Sequence, residues 1–143
     1  MLTVWKRIER RNGDTVKVLI VESESGLAAI WQKHLQRMGM FAEVCGAQDD
    51  AIEHLTHHAP DIIILDLLLD EGSAFAVADY ASFRMPDTRV IFVTNTSFFS
   101  DGSIFAFAPN ACAFVQRATP PDDLVAMVEH YGAEARSTQP DAV

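Results

Sequence analysis

The chain has 143 residues, 49% of them hydrophobic, and a formal net charge of −9. That length fits one domain with a substantial core, leaves no room for a second, and contains no internal repeat. No apolar run approaches the roughly 18 residues of a membrane span and no apolar h-region follows the N-terminus, so a soluble cytoplasmic protein without membrane contact is expected.

Charge is unevenly spread. The first 17 residues hold Lys6, Arg7, Arg10, Arg11 and Lys17 against Glu9 and Asp14, a net +3 that leaves −12 on the remainder. An acidic body of that kind is a poor surface for nucleic acid, and no nucleic-acid partner is expected. Residues 1–15 read as a polar lead-in with a turn signal at Asn12-Gly13 and a short helix over 4–10.

In chain order, KVLIV at 17–21 is apolar on both faces and predicts a buried strand that ends in Glu22-Ser23-Glu24. Ser25 is placed to cap a helix whose Leu27, Ile30, Trp31, Leu35 and Met38 recur at helical spacing before Gly39 stops it. Residues 41–45 predict a second strand and 47–58 a second helix, with Asp49 and Asp50 at its positive end. The run at 60–72, PDIIILDLLLDEG, predicts the central strand over Ile62, Ile63, Ile64 and Leu65. An ionised carboxylate is too costly to bury unpaired, so Asp66 belongs where that strand leaves the core, at its carboxyl end. Gly72 and Ser73 lead into a third helix over 74–84 with Phe75, Ala78 and Ala81 on its inner face. Residues 90–93 predict a fourth strand ending at Thr94. Phe98, Phe99, Ile104, Phe105 and Phe107 crowd a fourth helix, more aromatic than a core requires. Residues 111–115 predict the fifth strand, followed by Gln116 and Arg117. Pro120-Pro121 opens a last helix with Leu124, Met127, Val128 and Tyr131 buried, and residues 132–143 read as a disordered tail.

Two side-chain groups invite a metal reading and do not sustain it. His54, His57 and His58 share a helical face, but histidines in a last turn suit the negative end of the helix dipole, and no carboxylate or thiol with ligand spacing accompanies them. Cys45 and Cys112 have no metal-ligand spacing and read as small buried residues.

Strands alternating with helices predict an α/β fold, a doubly wound parallel (βα)5 sheet in the order 2-1-3-4-5. The first and third strands then flank the switch point. Glu22, Ser23 and Glu24 meet Asp66 there, with Thr94 and Arg117 arriving from the fourth and fifth strands. Cys45 and Cys112 lie too far apart in this order for a disulfide.

VLIVESES, PDIIILDLLLDEGSAF, VIFVTNTS and NACAFVQRATPPDDL, in that order, resemble the receiver domain of two-component response regulators, the CheY-like version of the flavodoxin-like fold. The resemblance covers residues 16–131 and implies a signalling module, not an enzyme. Asp66 would be the phosphoacceptor, modified from the phosphohistidine of a histidine kinase or phosphotransfer protein. Glu22, Asp66 and the backbone carbonyl of Leu68 would hold Mg²⁺, with Ser23 or Glu24 as further ligands. Thr94 and Arg117 would meet the phosphoryl group, and Phe114 would be the aromatic switch. The family's second acid is Ser23 here, which should weaken Mg²⁺ binding. Its lysine is Arg117, the proline after it is Ala118, the small residue after the hydroxyl is Asn95, and Ala74 stands where glycine is common.

Two readings follow. In one, Asp66 modification alters the surface of the fourth helix, fifth strand and last helix, and the signal passes to a downstream protein, since no output domain follows in the sequence. In the alternative, a pseudo-receiver binds a partner or forms a homodimer through Phe98, Phe99, Ile104, Phe105 and Phe107 without phosphate. Related enzymes fit poorly: ESES is too acidic for a flavodoxin phosphate loop, GxxxxGK[ST] is absent, and haloacid-dehalogenase-like phosphatases place their aspartate after the first strand.

Overall fold

The computed structural model describes residues 15–95 and 108–138. The lead-in over 1–14 and the phenylalanine-rich stretch over 96–107, including Phe98, Phe99, Ile104, Phe105 and Phe107, lie outside the described residues. β1 (Lys17–Val21), α1 (Ser25–Arg37), β2 (Phe41–Cys45), α2 (Gln48–His57), β3 (Ile62–Asp66), α3 (Ala74–Arg84), β4 (Arg89–Thr94), β5 (Ala111–Gln116) and α4 (Pro121–Thr138) follow one another along the chain. The strands form one parallel sheet in the order β2-β1-β3-β4-β5, the expected doubly wound arrangement.

The unbroken apolar strands are explained by burial on both faces. Val18, Ile20, Ile62, Ile64, Ile91 and Val93 point to one side, against Trp31 and Leu35 of α1 and Leu124 and Val128 of α4. Leu19, Val21, Ile63, Leu65, Val90 and Phe92 alternate to the other, against Leu55 of α2 and Val77, Ala78 and Ala81 of α3. Truncating a buried leucine or isoleucine in such a layer costs about 2–5 kcal/mol, so these two cores fix the strand register: Val21 beside Leu65, and Asp66 beside Val93.

Several local expectations are corrected. Ser25 is the first helical residue, not the cap; Glu24 takes the cap position without a side-chain capping bond. Ile30 and Met38 are exposed, and α1 buries Ala28 with Trp31 and Leu35 instead. Phe75 sits at the rim, its ring 5.9 Å from that of Phe92, while Val77 takes the fully buried position. The last helix continues through Gly132 to Thr138. Gly132 is no stop signal: a Cβ there would lie 2.7 Å from Val16 Cγ1, so glycine lets the helix pass close to the start of the sheet. Ser73 does cap α3, accepting the Ala76 N–H at 3.3 Å, and Cys45 and Cys112 are both free thiols.

The edge opposite the site is closed by structural polar groups. Asp61, 1% exposed, accepts the Lys17 N–H at 2.9 Å, and Thr88 donates to the Pro60 carbonyl at 2.6 Å. No described helix is long and apolar enough to cross a membrane.

Candidate functional site

The site gathers at the carboxyl edge of β1, β3, β4 and β5, where the sheet's bonding pattern runs one residue beyond the strands. Glu22 N–H donates to the Cys45 carbonyl at 3.0 Å, Leu67 N–H to Val93 at 2.8 Å, and Arg117 N–H to Thr94 at 2.7 Å. These bonds fix where Glu22, Asp66, Thr94 and Arg117 leave the backbone. Glu22 and Asp66 are each 1% exposed and Thr94 is fully buried.

Asp66 Oδ1 accepts the Leu68 N–H at 3.0 Å, and its Oδ2 lies 3.8 Å from Arg117 Nη1. Arg117 Nη2 donates to Glu22 Oε2 at 3.0 Å and to Glu24 Oε1 at 2.8 Å. Glu24 N–H returns to Glu22 Oε2 at 3.0 Å. Burial pushes the Glu22 carboxyl up to about 7, and nearby Asp66 adds to the rise; the Glu24 N–H and the Arg117 guanidinium act the other way. Glu22 therefore resists ionisation more than an ordinary carboxyl does, even with Arg117 3.0 Å away.

Ser23 is committed elsewhere. Its hydroxyl donates to the Gly46 carbonyl at 2.9 Å and accepts the Asp70 N–H at 2.9 Å, tying the turn after β1 to the loops after β2 and β3. Glu24 is likewise engaged, with Arg117. Leu68 is 62% exposed on the loop beside the acceptor. Phe114, half-buried, stands opposite Phe92 in the sheet register and packs at the edge of the second core. Asn95 is exposed next to Thr94, and the described backbone contains no cis peptide bond, as Ala118 in place of proline allows.

Among the described residues, no group of three or more His, Cys, Asp or Glu side chains is arranged to hold a metal ion. A smaller oxygen set is present. Glu22 Oε1 is buried and accepts no hydrogen bond, Asp66 is adjacent, and the Leu68 carbonyl belongs to the same loop. One or two carboxylates with a carbonyl and water suit Mg²⁺, so this donor set fits that ion. The histidine group on α2 differs in character: burial, then His58 and His57, push His54 down to about 4, which marks a packed, neutral ring.

Two site features escaped the sequence reading. The first is the Glu24 to Arg117 pair, which joins residues far apart in sequence; the matching charges at two strand ends were the only signal. The second is Gln48, whose Oε1 accepts the Ser73 N–H at 2.7 Å and whose own N–H donates to the Glu71 carbonyl at 3.2 Å, bracing the loop that follows Asp66.

A doubly wound sheet with a buried aspartate at its switch point, a hydroxyl on the next strand and a guanidinium on the last defines a receiver-type signalling module. The chain belongs to the response regulator receiver domain family, whose pattern matches residues 18–129. It is 35% identical over 75 residues to the luminescence regulatory protein LuxO of Vibrio campbellii, a match spanning 52% of this chain and 17% of that protein. It is 26% identical over 125 residues to the sensory transduction protein LytT of Bacillus anthracis, 85% of this chain and 49% of that protein. The chain thus spans about half or less of these relatives. A CheY-like receiver domain from Methanospirillum hungatei superposes with a TM-score of 0.79 at 17% identity, covering 87% of this chain and 99% of that one. The response regulator TrrA of Thermotoga maritima, in complex with Mg²⁺ and BeF, gives 0.72 at 20% identity over 82% of this chain and 99% of that one.

Proposed function

We propose that this chain is a phosphorylatable receiver that accepts a phosphoryl group on Asp66 and passes the signal by protein contact. The observation that carries this reading is the Asp66 carboxylate, buried at the carboxyl end of β3, fixed by the Leu68 N–H and faced by Arg117. An Asp66 oxygen attacks the phosphorus of a phosphohistidine and forms the new O–P bond. The N–P bond breaks, and its electron pair returns to the imidazole nitrogen, leaving an aspartyl phosphate and a free histidine. Glu22, Asp66 and the Leu68 carbonyl would hold Mg²⁺, which when bound offsets negative charge on the phosphoryl oxygens. Arg117 adds a second positive group within reach of the same oxygens, and Thr94 a hydroxyl donor.

The donor would be a histidine kinase or a phosphotransfer protein. Phe114, between the Thr94 strand and the outer surface, is the route by which an altered site reaches a downstream protein or a second copy of the chain. A cytoplasmic setting agrees with such donors.

The test is beryllium fluoride with Mg²⁺, followed by amide chemical shifts. Shifts at Asp66, Thr94 and Phe114 that are absent in Asp66→Asn support the reading. Unchanged spectra at saturating reagent would refute it.

A further inference from the structure

Arg117 grips the β1 side of the crevice more closely than it grips the acceptor. Its Nη2 is 3.0 Å from Glu22 Oε2 and 2.8 Å from Glu24 Oε1, whereas its approach to Asp66 Oδ2 is 3.8 Å. Glu24 N–H closes a ring by donating to the same Glu22 Oε2. Two glutamates from a single turn therefore share one guanidinium, with Ser23 between them bonded to Gly46 and Asp70. Glu22 and Asp66 are buried, and a buried carboxylate is costly unless a cation is paired with it. Arg117 is that cation, from within the chain. Glu24, with its side chain 67% exposed, has no such need, and its bond instead fixes where the guanidinium lies.

We propose that Glu24 is a positioning residue that clamps Arg117 onto Glu22, so that Arg117 and a divalent cation compete for the Glu22 carboxylate. The inference deepens the receiver reading and rests on it for the identity of the metal site. A cation arriving at the buried Glu22 Oε1, which accepts no hydrogen bond, meets a like charge a few ångströms away, and such repulsion is strong where water is excluded. Metal binding then requires Arg117 to move off Glu22, which frees its guanidinium to turn toward Asp66. In this arrangement Glu24 opposes metal binding although it is itself negative.

That sign makes the clamp testable. A glutamate acting only through its charge attracts a cation, so its neutralisation weakens metal binding; a clamp gives the reverse. Mn²⁺ alone is titrated into the full chain, with free Mn²⁺ read by electron paramagnetic resonance, for wild type, Glu24→Gln, Arg117→Ala and the double variant. Thermal melts show that each variant is folded. Glu24→Gln should bind Mn²⁺ about 1.4- to fivefold tighter than wild type, the span an exposed ion pair commands. Arg117→Ala should bind tighter still, and in that background Glu24→Gln should weaken binding. Weaker or unchanged binding in Glu24→Gln alone, an equal effect in both backgrounds, or no Mn²⁺ binding in any of the four proteins overturns the clamp. Phosphorylation of Asp66 is read separately by mass, so failure of the clamp and failure of the acceptor reading are distinguishable.

Discussion

Gly72 offers a quantitative check on the loop that follows the acceptor. Its φ is +93°, in the left-handed region, and a Cβ there would overlap Cβ and Oε1 of Gln48. Gln48 cannot yield freely, because its Oε1 holds the Ser73 N–H at 2.7 Å and its own N–H holds the Glu71 carbonyl at 3.2 Å. Alanine at 72 therefore meets a backbone cost of about 1 kcal/mol. No rotamer moves the Gln48 Cβ, so relieving the overlap shifts the start of α2 and forfeits the Ser73 hydrogen bond, at least about 1 kcal/mol more. Gly72→Ala should lose at least about 2 kcal/mol in urea unfolding with the slope unchanged, and the Ser73 amide should exchange faster. Gly46→Ala is the control: its Cβ would meet only the Glu22 carbonyl at 4.0 Å, and its φ is not left-handed. That variant should stay within about 0.5 kcal/mol of wild type. A Gly72→Ala protein as stable as wild type, or an equal loss in Gly46→Ala, would show that the brace between Gln48 and this loop is wrong.

Other outcomes follow from the same geometry. Ser23→Ala removes the donor to Gly46 and the acceptor of the Asp70 N–H; it should cost about 1 kcal/mol and raise amide exchange at Asp70, whereas unchanged exchange there would contradict the tie. His54 keeps its neutral form in the folded protein down to about pH 4, against an ordinary value of 6.5. Its depressed folded value means that the unfolded chain binds the extra proton between those limits, so stability falls as pH drops from 6.5 toward 4. His54→Gln should flatten that part of the pH–stability curve by on the order of 1–2 kcal/mol, allowing for screening of a partly exposed ring; an unaltered slope would place the loss in other groups.

β1, β3 and β4 were legible because burial on both faces leaves a signature that local sequence carries, an apolar run that gives way to a polar residue. β2, which carries Glu43 and ends at Cys45 before Gly46, and the half-buried β5 read less directly. The strand order follows from right-handed crossovers, which bring Glu22, Asp66, Thr94 and Arg117 to one edge. Helix detail was harder to read. Ile30 and Met38 fit a helical period as well as Ala28 does, and only packing against the sheet decides that the small residue is inside. Gly132 reads as a terminator in isolation, yet its role depends on Val16, which lies across the domain. The sequence identified the charged members of the site but not their pairing. Ser23 and Glu24 looked like substitutes for a missing metal ligand, whereas the fold assigns Ser23 to the neighbouring loops and Glu24 to Arg117. Such assignments depend on differences of an ångström or two between elements far apart in the chain, which residue spacing does not encode.

Whether Asp66 is the phosphoacceptor is tested most directly by intact mass after incubation with acetyl phosphate and Mg²⁺. One phosphoryl adduct on the wild type, absent from Asp66→Asn and lost on hydroxylamine treatment, is the predicted result. No adduct on the wild type, or an adduct that persists in Asp66→Asn, would contradict it.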